Sequence, residues 1–221
     1  MKHKIITLTA LFFSVFINAQ QPVELNSKID SLQYSLGVFV GQWMVNNEFD
    51  LNNKDLFNRG MDDLINNQPR LISDSTIVPI ITSYQLSIQN ERSKQMEQNL
   101  FADLKEKSGV GVLPSGVHYI MIKQGKGVKP AVSDTIVMGV VGVFPDGTIF
   151  ENTAEKGEPV RNAVSNLIPG LSEAIQIMPE GSVWRIFIPS ALAYGTAGLP
   201  NVIPPNTALV FEISLEQVEK Y

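Results

Sequence analysis

The chain reads as an α+β protein: an all-helical N-terminal domain, a long connecting helix, and a C-terminal antiparallel sheet set against one short helix. Two observations carry this. The composition changes near Gly109. Before it, apolar residues recur at spacings of three and four; after it, Gly, Pro, Val and Ile dominate and short β-rich runs alternate with turns. In addition, helix-like text persists from about Ser75 to Gly109, longer than one core helix needs, with an almost wholly polar middle.

The first twenty residues stand apart. Lys2, His3 and Lys4 precede an apolar run of 13 residues, Ile5 to Ile17, and Ala19 suits a cleavage site. This is the pattern of a secretory signal peptide. A membrane anchor is the alternative, but a spanning helix needs roughly 20 apolar residues. The expectation is an exported protein of the periplasm or cell envelope, with residues 1–20 removed and no transmembrane anchor left.

The first helix starts near Ser27. Its apolar positions are Ile29, Leu32, Leu36, Phe39, Val40, Trp43 and Met44, which share one face. Gly37 and Gly41 lie one turn apart beside that face. They admit close approach of another helix, either within the domain or from a second molecule. The second helix runs roughly from Lys54 to Asn66, with Leu56, Phe57, Met61, Leu64 and Ile65 inward. The third is capped by Ser75 or Thr76, which puts Pro79 in the first turn, where a missing N–H costs little. Ile80, Tyr84, Ile88, Met96, Leu100 and Leu104 continue its pattern, and Gly109 stops it. Some thirty residues make a rod of about 45 Å. The polar middle, Gln89 to Gln98, reads as a stalk crossing solvent between two modules. The expected organisation is a helical domain over 25–75, a connecting helix over 76–108 and a sheet domain over 112–220.

Within the sheet domain, Val117 to Ile122, Thr135 to Phe144, Val183 to Ile188 and Ala208 to Leu215 read as strands. Pro145-Asp146-Gly147 makes a hairpin-type turn. Pro169-Gly170 opens a short helix from Leu171 to Met178, ended by Pro179-Glu180-Gly181. About five strands and one helix result.

Composition removes several function classes. Loss of residues 1–20 lowers Lys+Arg from 17 to 15 against 22 Asp+Glu, a net charge of −7. An acidic chain without a basic run does not bind nucleic acid, which needs Lys and Arg on phosphates. The sequence has no cysteine, so disulfides, thiolate catalysis, thiolate metal sites and a lipid-bearing cysteine are excluded. His118 is then the sole histidine, in a strand-like run, and is expected half-exposed rather than part of a Ser-His-Asp triad. No metal or cofactor is implied. Gly125-Lys126-Gly127 lacks the pattern of a phosphate loop and reads as a surface turn. Asp62-Asp63, Glu155 and Glu158 read as solvated.

The segment Ile188-Pro189-Ser190-Ala191-Leu192-Ala193-Tyr194-Gly195 and its sequel Val202-Ile203-Pro204-Pro205-Asn206-Thr207-Ala208-Leu209-Val210-Phe211 offer apolar walls and one phenol, with no nucleophile, base or metal ligand. Such a site suits a reaction that breaks no bond. Rotation about an Xaa-Pro bond faces a barrier near 18–20 kcal/mol set by amide resonance. The twisted transition state loses resonance and carries less charge separation, so a dry hollow favours it.

These segments resemble those of the FKBP-type peptidyl-prolyl cis-trans isomerases. Asp146-Gly147-Thr148-Ile149-Phe150-Glu151-Asn152-Thr153 is similar to that family's hairpin and following strand. Gly157-Glu158-Pro159 and Leu167-Ile168-Pro169-Gly170-Leu171 are similar to its pocket floor. Upstream, Tyr34-Ser35-Leu36-Gly37 and Phe57-Asn58-Arg59-Gly60-Met61-Asp62-Asp63 resemble the macrophage-infectivity-potentiator subgroup. The resemblance implies a curved antiparallel sheet wrapped around one short helix. It also implies an exported homodimer joined through its N-terminal helices, and a folding enzyme and chaperone for unfolded or proline-containing polypeptides.

Carried over residue by residue, the resemblance implies that Tyr194 donates to the substrate carbonyl and the Ile168 N–H is a second donor. Phe150 and Phe211 would wall the proline ring, with Glu151, Leu167 and Ile203 completing the pocket. Val140, Val160, Leu171 and Leu199 stand where the family usually has tyrosine, phenylalanine, tryptophan and histidine or an aliphatic residue, and Glu151 replaces aspartate. Three aromatic walls are thus trimmed. Because small misplacements cost rate steeply, these departures imply either reduced turnover or a holdase that binds prolyl segments on the same scaffold.

Overall fold

The computed structural model describes residues 24–221; the expected signal peptide lies outside the described residues. The chain divides into two compact units, one ending at Asn52 and the other running from Asn53 to Tyr221.

In the first unit, helix α1 (Lys28–Asn46) is capped by Ser27, whose hydroxyl accepts the Asp30 N–H at 3.0 Å. That bond satisfies one of the amides a helix start leaves unpaired. None of its residues is buried; Ile29, Leu32, Leu36, Phe39 and Trp43 are all exposed. Trp43 stacks on Phe49 at 5.4 Å.

The second unit opens with α2 (Lys54–Ile65), capped by Asn53, whose side-chain oxygen accepts from the Leu56 amide. Asp63, expected solvated, is buried: Arg59, one turn earlier, covers it through a 2.7 Å ion pair. Helix α3 (Asp74–Glu106) follows Ser73 and so begins earlier than a Ser75 or Thr76 cap would give. Pro79 therefore lies inside the helix, not in its first turn. Lys107 leaves the helix in an extended conformation, and Gly109 turns the chain at φ +81°, a value that favours glycine.

The middle of α3 is not the solvent-crossing stalk its polarity suggests. Ser93 is 3% exposed and hydrogen-bonds to Thr207 at 3.0 Å. The face is polar because the surface it meets consists of hydroxyls, an amide and backbone, so a contact face here need not be apolar.

Seven strands follow rather than about five: β1 (Gly111–Val112), β2 (His118–Lys123), β3 (Thr135–Val143), β4 (Ile149–Asn152), β5 (Val160–Ala163), β6 (Val183–Ile188) and β7 (Leu209–Glu219). β1 and β5 are too short to show a period in sequence. Every pairing is antiparallel, in the order β1-β2-β6-β7-β3-β4, and β5 pairs with the first half of β3 beside β4. β3 alternates buried and half-buried residues along its length, as one core face demands. Between β4 and β5 lies the short α4 (Thr153–Lys156), and between β5 and β6 lies α5 (Pro169–Ile177).

The sheet is covered on both faces. On one, Leu171, Ala174 and Ile175 of α5 pack with Ile136, Met138, Ile186, Ile213 and Leu215 in the main core. On the other, Leu100, Phe101 and Leu104 of α3 close over Phe187, Val210, Ile120 and Val143. Gly170 allows α5 to sit low: a Cβ there would stand 2.5 Å from the Ile188 side chain. His118 is buried rather than half-exposed. Its Nδ1 lies 2.8 Å from the Gly116 carbonyl and its ring is 5.0 Å from Phe101 of the covering helix. At the Gly125-Lys126-Gly127 turn, Gly125 is buried against the turn over Pro179–Ser182, where a Cβ would stand 2.2 Å from the Glu180 carbonyl oxygen.

Candidate functional site

The site is assembled from four segments: the middle of β3, strand β4, the entry to α5, and the loop between β6 and β7. Phe211 lies opposite Gly142 in the β3–β7 register, and Glu151 lies opposite Gly142 in β3–β4. The absent side chain at Gly142 makes room for two rings. A Cβ there would stand 2.6 Å from Phe150 Cζ and 3.2 Å from Phe211 Cε1. Phe150 and Phe211 meet edge to face at 5.7 Å, and Phe144 joins Phe150 at 4.9 Å. Phe144 was absent from the expected set. Its place at the strand end before the hairpin gave no sign in sequence of which way its ring turns.

Of the eleven expected site residues, eight fall in or against one apolar cluster. Val140, Leu171, Ile203 and Phe211 are buried in it, and Phe150, Val160, Leu167 and Ile168 are partly buried on it. The cluster thus grades from fully buried to partly exposed side chains. Val140 is held by Thr153, whose hydroxyl accepts the Val140 amide at 2.8 Å. Ile168 is the N-cap of α5, and its carbonyl accepts from Leu171 and Ser172.

Glu151, Tyr194 and Leu199 lie outside the cluster. Glu151 is half-buried on β4. Tyr194 is 36% exposed, directly after Ala193, which packs on the cluster. Leu199 is exposed but bridges to buried Ile203 through two 2.8 Å backbone bonds. The loop is closed at its neck by Asn206 N–H donating to the Gly195 carbonyl at 2.8 Å. Gly198 turns at φ +65° so tightly that a Cβ would stand 2.4 Å from the Ile203 carbonyl oxygen. The phenol is thus carried on an internally bonded loop, next to Ala193, which packs on the cluster.

Among the described residues no cluster of His, Asp and Glu could hold a metal ion, and no helix is long and apolar enough to cross a membrane. The chemistry on offer is apolar enclosure with a few hydrogen-bond donors.

Comparison with known proteins identifies the family. Residues 126–216 match the model of the FKBP-type peptidyl-prolyl cis-trans isomerase, and residues 29–121 match that of the domain amino-terminal to it. The outer membrane protein MIP of Legionella longbeachae is 34% identical across 100% of this chain and 99% of its own length. The FKBP-type peptidyl-prolyl cis-trans isomerase FkpA of Aeromonas hydrophila is 31% identical over 85% of this chain and 75% of its own. Among solved structures, FkpA from Escherichia coli superposes with a TM-score of 0.61 at 27% identity, over 89% of this chain and 99% of that one. A peptidyl-prolyl cis-trans isomerase from Pseudomonas syringae gives 0.55 at 36% identity, over 59% and 96%. With its fold, its two family-model matches and its full-length relative in accord, the chain belongs to the FKBP-type peptidyl-prolyl cis-trans isomerase family.

Proposed function

We propose that the hollow beside Phe150 and Phe211 is the place where this isomerase turns Xaa-Pro bonds. The carrying observation is the edge-to-face pair over Gly142, continuous with Ile203 and partly open to solvent. Phe150, Phe211 and Ile203 wall the proline ring. Tyr194 donates its phenol to the carbonyl preceding proline, and the Ile168 N–H is a second donor. Excluding water from the twisted amide favours the less charge-separated transition state. Glu151, Val140, Val160, Leu167, Leu171 and Leu199 shape the rim and floor.

The test is direct relaxation of a cis Xaa-Pro peptide, without a coupling protease, for wild type and Tyr194→Phe. Loss of one donor to the reacting carbonyl is expected to lower kcat/KM about tenfold or more. An unchanged rate in the variant would remove the phenol from the mechanism.

Two copies pair through their N-terminal helices, and the protein works in the cell envelope as a chaperone for exported chains. The support for pairing is the row of exposed apolar residues on α1 and the open space at Gly37 and Gly41, where a Cβ would meet no atom of the described residues within 4 Å beyond its chain neighbours and its own helix backbone. The support for the envelope is the leader-like sequence and the relative that is an outer membrane protein. Replacement of aromatic walls by Val140, Val160 and Leu171 favours client holding over fast turnover. Suppression of aggregation of a proline-free client measures that holding separately from isomerisation.

A further inference from the structure

Leu86, Asn90, Ser93, Glu97, Leu100 and Leu104 recur on α3 at alternating spacings of four and three, so they form one stripe along the helix. Its apolar end, Leu100 and Leu104, is packed on the back of the sheet. At the other end Leu86 borders a cleft of about 520 Å³ shared with Leu199, Val202 and Ile203. The polar centre meets the tyrosine loop at both sides of its neck. Glu97 Oε2 accepts from the Ser190 amide at 3.3 Å, where the loop leaves β6. Asn90 Oδ1 accepts from Asn206 Nδ2 at 3.2 Å and Ser93 meets Thr207 at 3.0 Å, where the loop returns to β7. Ser93 and Thr207 are each 3% exposed. The neck itself is closed by the Asn206-to-Gly195 bond, one residue after Tyr194.

A tether between modules needs none of this. A helix that served only as a spacer would gain nothing from a buried hydroxyl pair 114 residues apart in sequence, since a buried polar group is costly unless it is satisfied. The three contacts hold the two ends of a loop whose interior carries Tyr194 and Ile203. We propose that Ser93, with Asn90 and Glu97, are positioning residues for isomerisation: the connecting helix fixes the loop that presents Tyr194 and Ile203 to the prolyl segment. It rests on the reading that those two residues face substrate, and the test separates the two.

The test uses the full chain. Ser93→Ala and Glu97→Ala are expected to lower kcat/KM about tenfold, part of the roughly hundredfold that a misplacement of about 1 Å can cost. The melting temperature stays close to wild type for Glu97→Ala. Glu97→Gln keeps an oxygen acceptor and keeps the rate. Amide exchange quickens at Gly195 and Asn206 and not in β6 and β7, because the opening is local. Lys94→Ala and Gln98→Ala, on the neighbouring exposed face, leave the rate unchanged. Combining Ser93→Ala with Tyr194→Phe loses little more than Tyr194→Phe alone, since both act through one group. Wild-type rates in both Ser93→Ala and Glu97→Ala, or losses that multiply fully with a Tyr194→Phe variant that is itself slow, overturn the proposal. If Tyr194→Phe alone is silent while Ser93→Ala and Glu97→Ala are slow, the phenol's role falls and the brace stands, acting through the Ile203 end.

Discussion

Phe150 and Phe211 meet edge to face, ring centroids 5.7 Å apart at 87°, across the bare Cα of Gly142. The positive edge of one ring addresses the negative face of the other, a geometry worth about 0.5–1.5 kcal/mol beyond area burial. Strand register sets it, because Gly142 faces Glu151 on one side and Phe211 on the other.

Gly142→Ala tests whether the hollow depends on that pair. The new methyl would stand 2.6 Å from Phe150 Cζ, and Phe150, the less buried ring, is the one that can swing away. Overpacking of this kind costs about 1–3 kcal/mol, read as a lower melting temperature. On the proposal that this ring walls the prolyl segment, kcat/KM in the protease-free relaxation should fall about tenfold or more. A stable variant with undiminished turnover would mean that Phe150 is sheet core and nothing else.

Restoring aromatic walls should have opposite outcomes at two sites. Val160 is half-buried at the start of β5, opposite Met138, so Val160→Phe has somewhere to put a ring. It should raise kcat/KM about two- to tenfold, the worth of one aromatic pair. Leu171 is 5% exposed within the core, so Leu171→Trp forces extra volume into a filled site and lowers stability by about 1–3 kcal/mol. Steady-state kinetics and thermal melts on the two single variants decide it; a gain in rate at 171 without loss of stability would mean that the floor is looser than its burial implies.

Gly41→Leu separates the two readings of the small-residue spacing on α1. Among the described residues, apart from Gly41's chain neighbours and its own helix backbone, no atom lies within 4 Å of a Cβ at Gly41, and glycine is about 0.8–1.0 kcal/mol worse in a helix than alanine, which leucine nearly matches. A lone chain therefore gains helix stability. A helix from a second copy would be pushed away. Sedimentation equilibrium should show a dimer for wild type and a shift toward monomer for the variant, with peptide isomerisation per chain unchanged. A variant that dimerises as wild type does would return Gly37 and Gly41 to packing within one chain.

The legible parts of the sequence were those with a period or an obligatory turn. α1 and α2 were readable from three-four spacing, α1 also from Ser27 at its start, and β6 from a β-branched and aromatic run broken only by Arg185. The α+β class followed from the change at Gly109. Phe150, Ile203 and Phe211, grouped by the sequence reading, lie in or against one apolar cluster. What stayed hidden was contact between distant segments. The polarity of Asn90, Ser93 and Glu97 is equally consistent with water or with a polar partner, and only the fold brings Thr207, Asn206 and Ser190 to them. Asp63 and His118 are buried against their sequence expectation for the same reason. Burial of a polar residue depends on a cover supplied elsewhere, by Arg59 in one case and by Phe101 of α3 in the other.

The C-terminus is fastened by a carboxylate, which gives stability a defined pH dependence. Asp134 is buried before β3. It accepts Lys220 Nζ at 2.7 Å and the backbone amides of Ala131 and Tyr221 at 2.7 and 3.2 Å. The Lys220 hydrogen bond, then the Ala131 amide, holds its pKa down from the ordinary 3.8 to about 2. A carboxyl group depressed in the folded state binds its proton more readily when unfolded, so unfolding takes up protons in that window. The stabilisation is therefore complete above pH 3.8 and is lost as pH falls toward 2. Asp134→Asn removes the charge and leaves one acceptor for three donors. Its melting temperature should lie below wild type near neutral pH, and the gap should close as both proteins are taken down through that window. A gap of constant size down to pH 2 would assign the effect of the substitution to lost hydrogen-bond geometry and none of it to the charge.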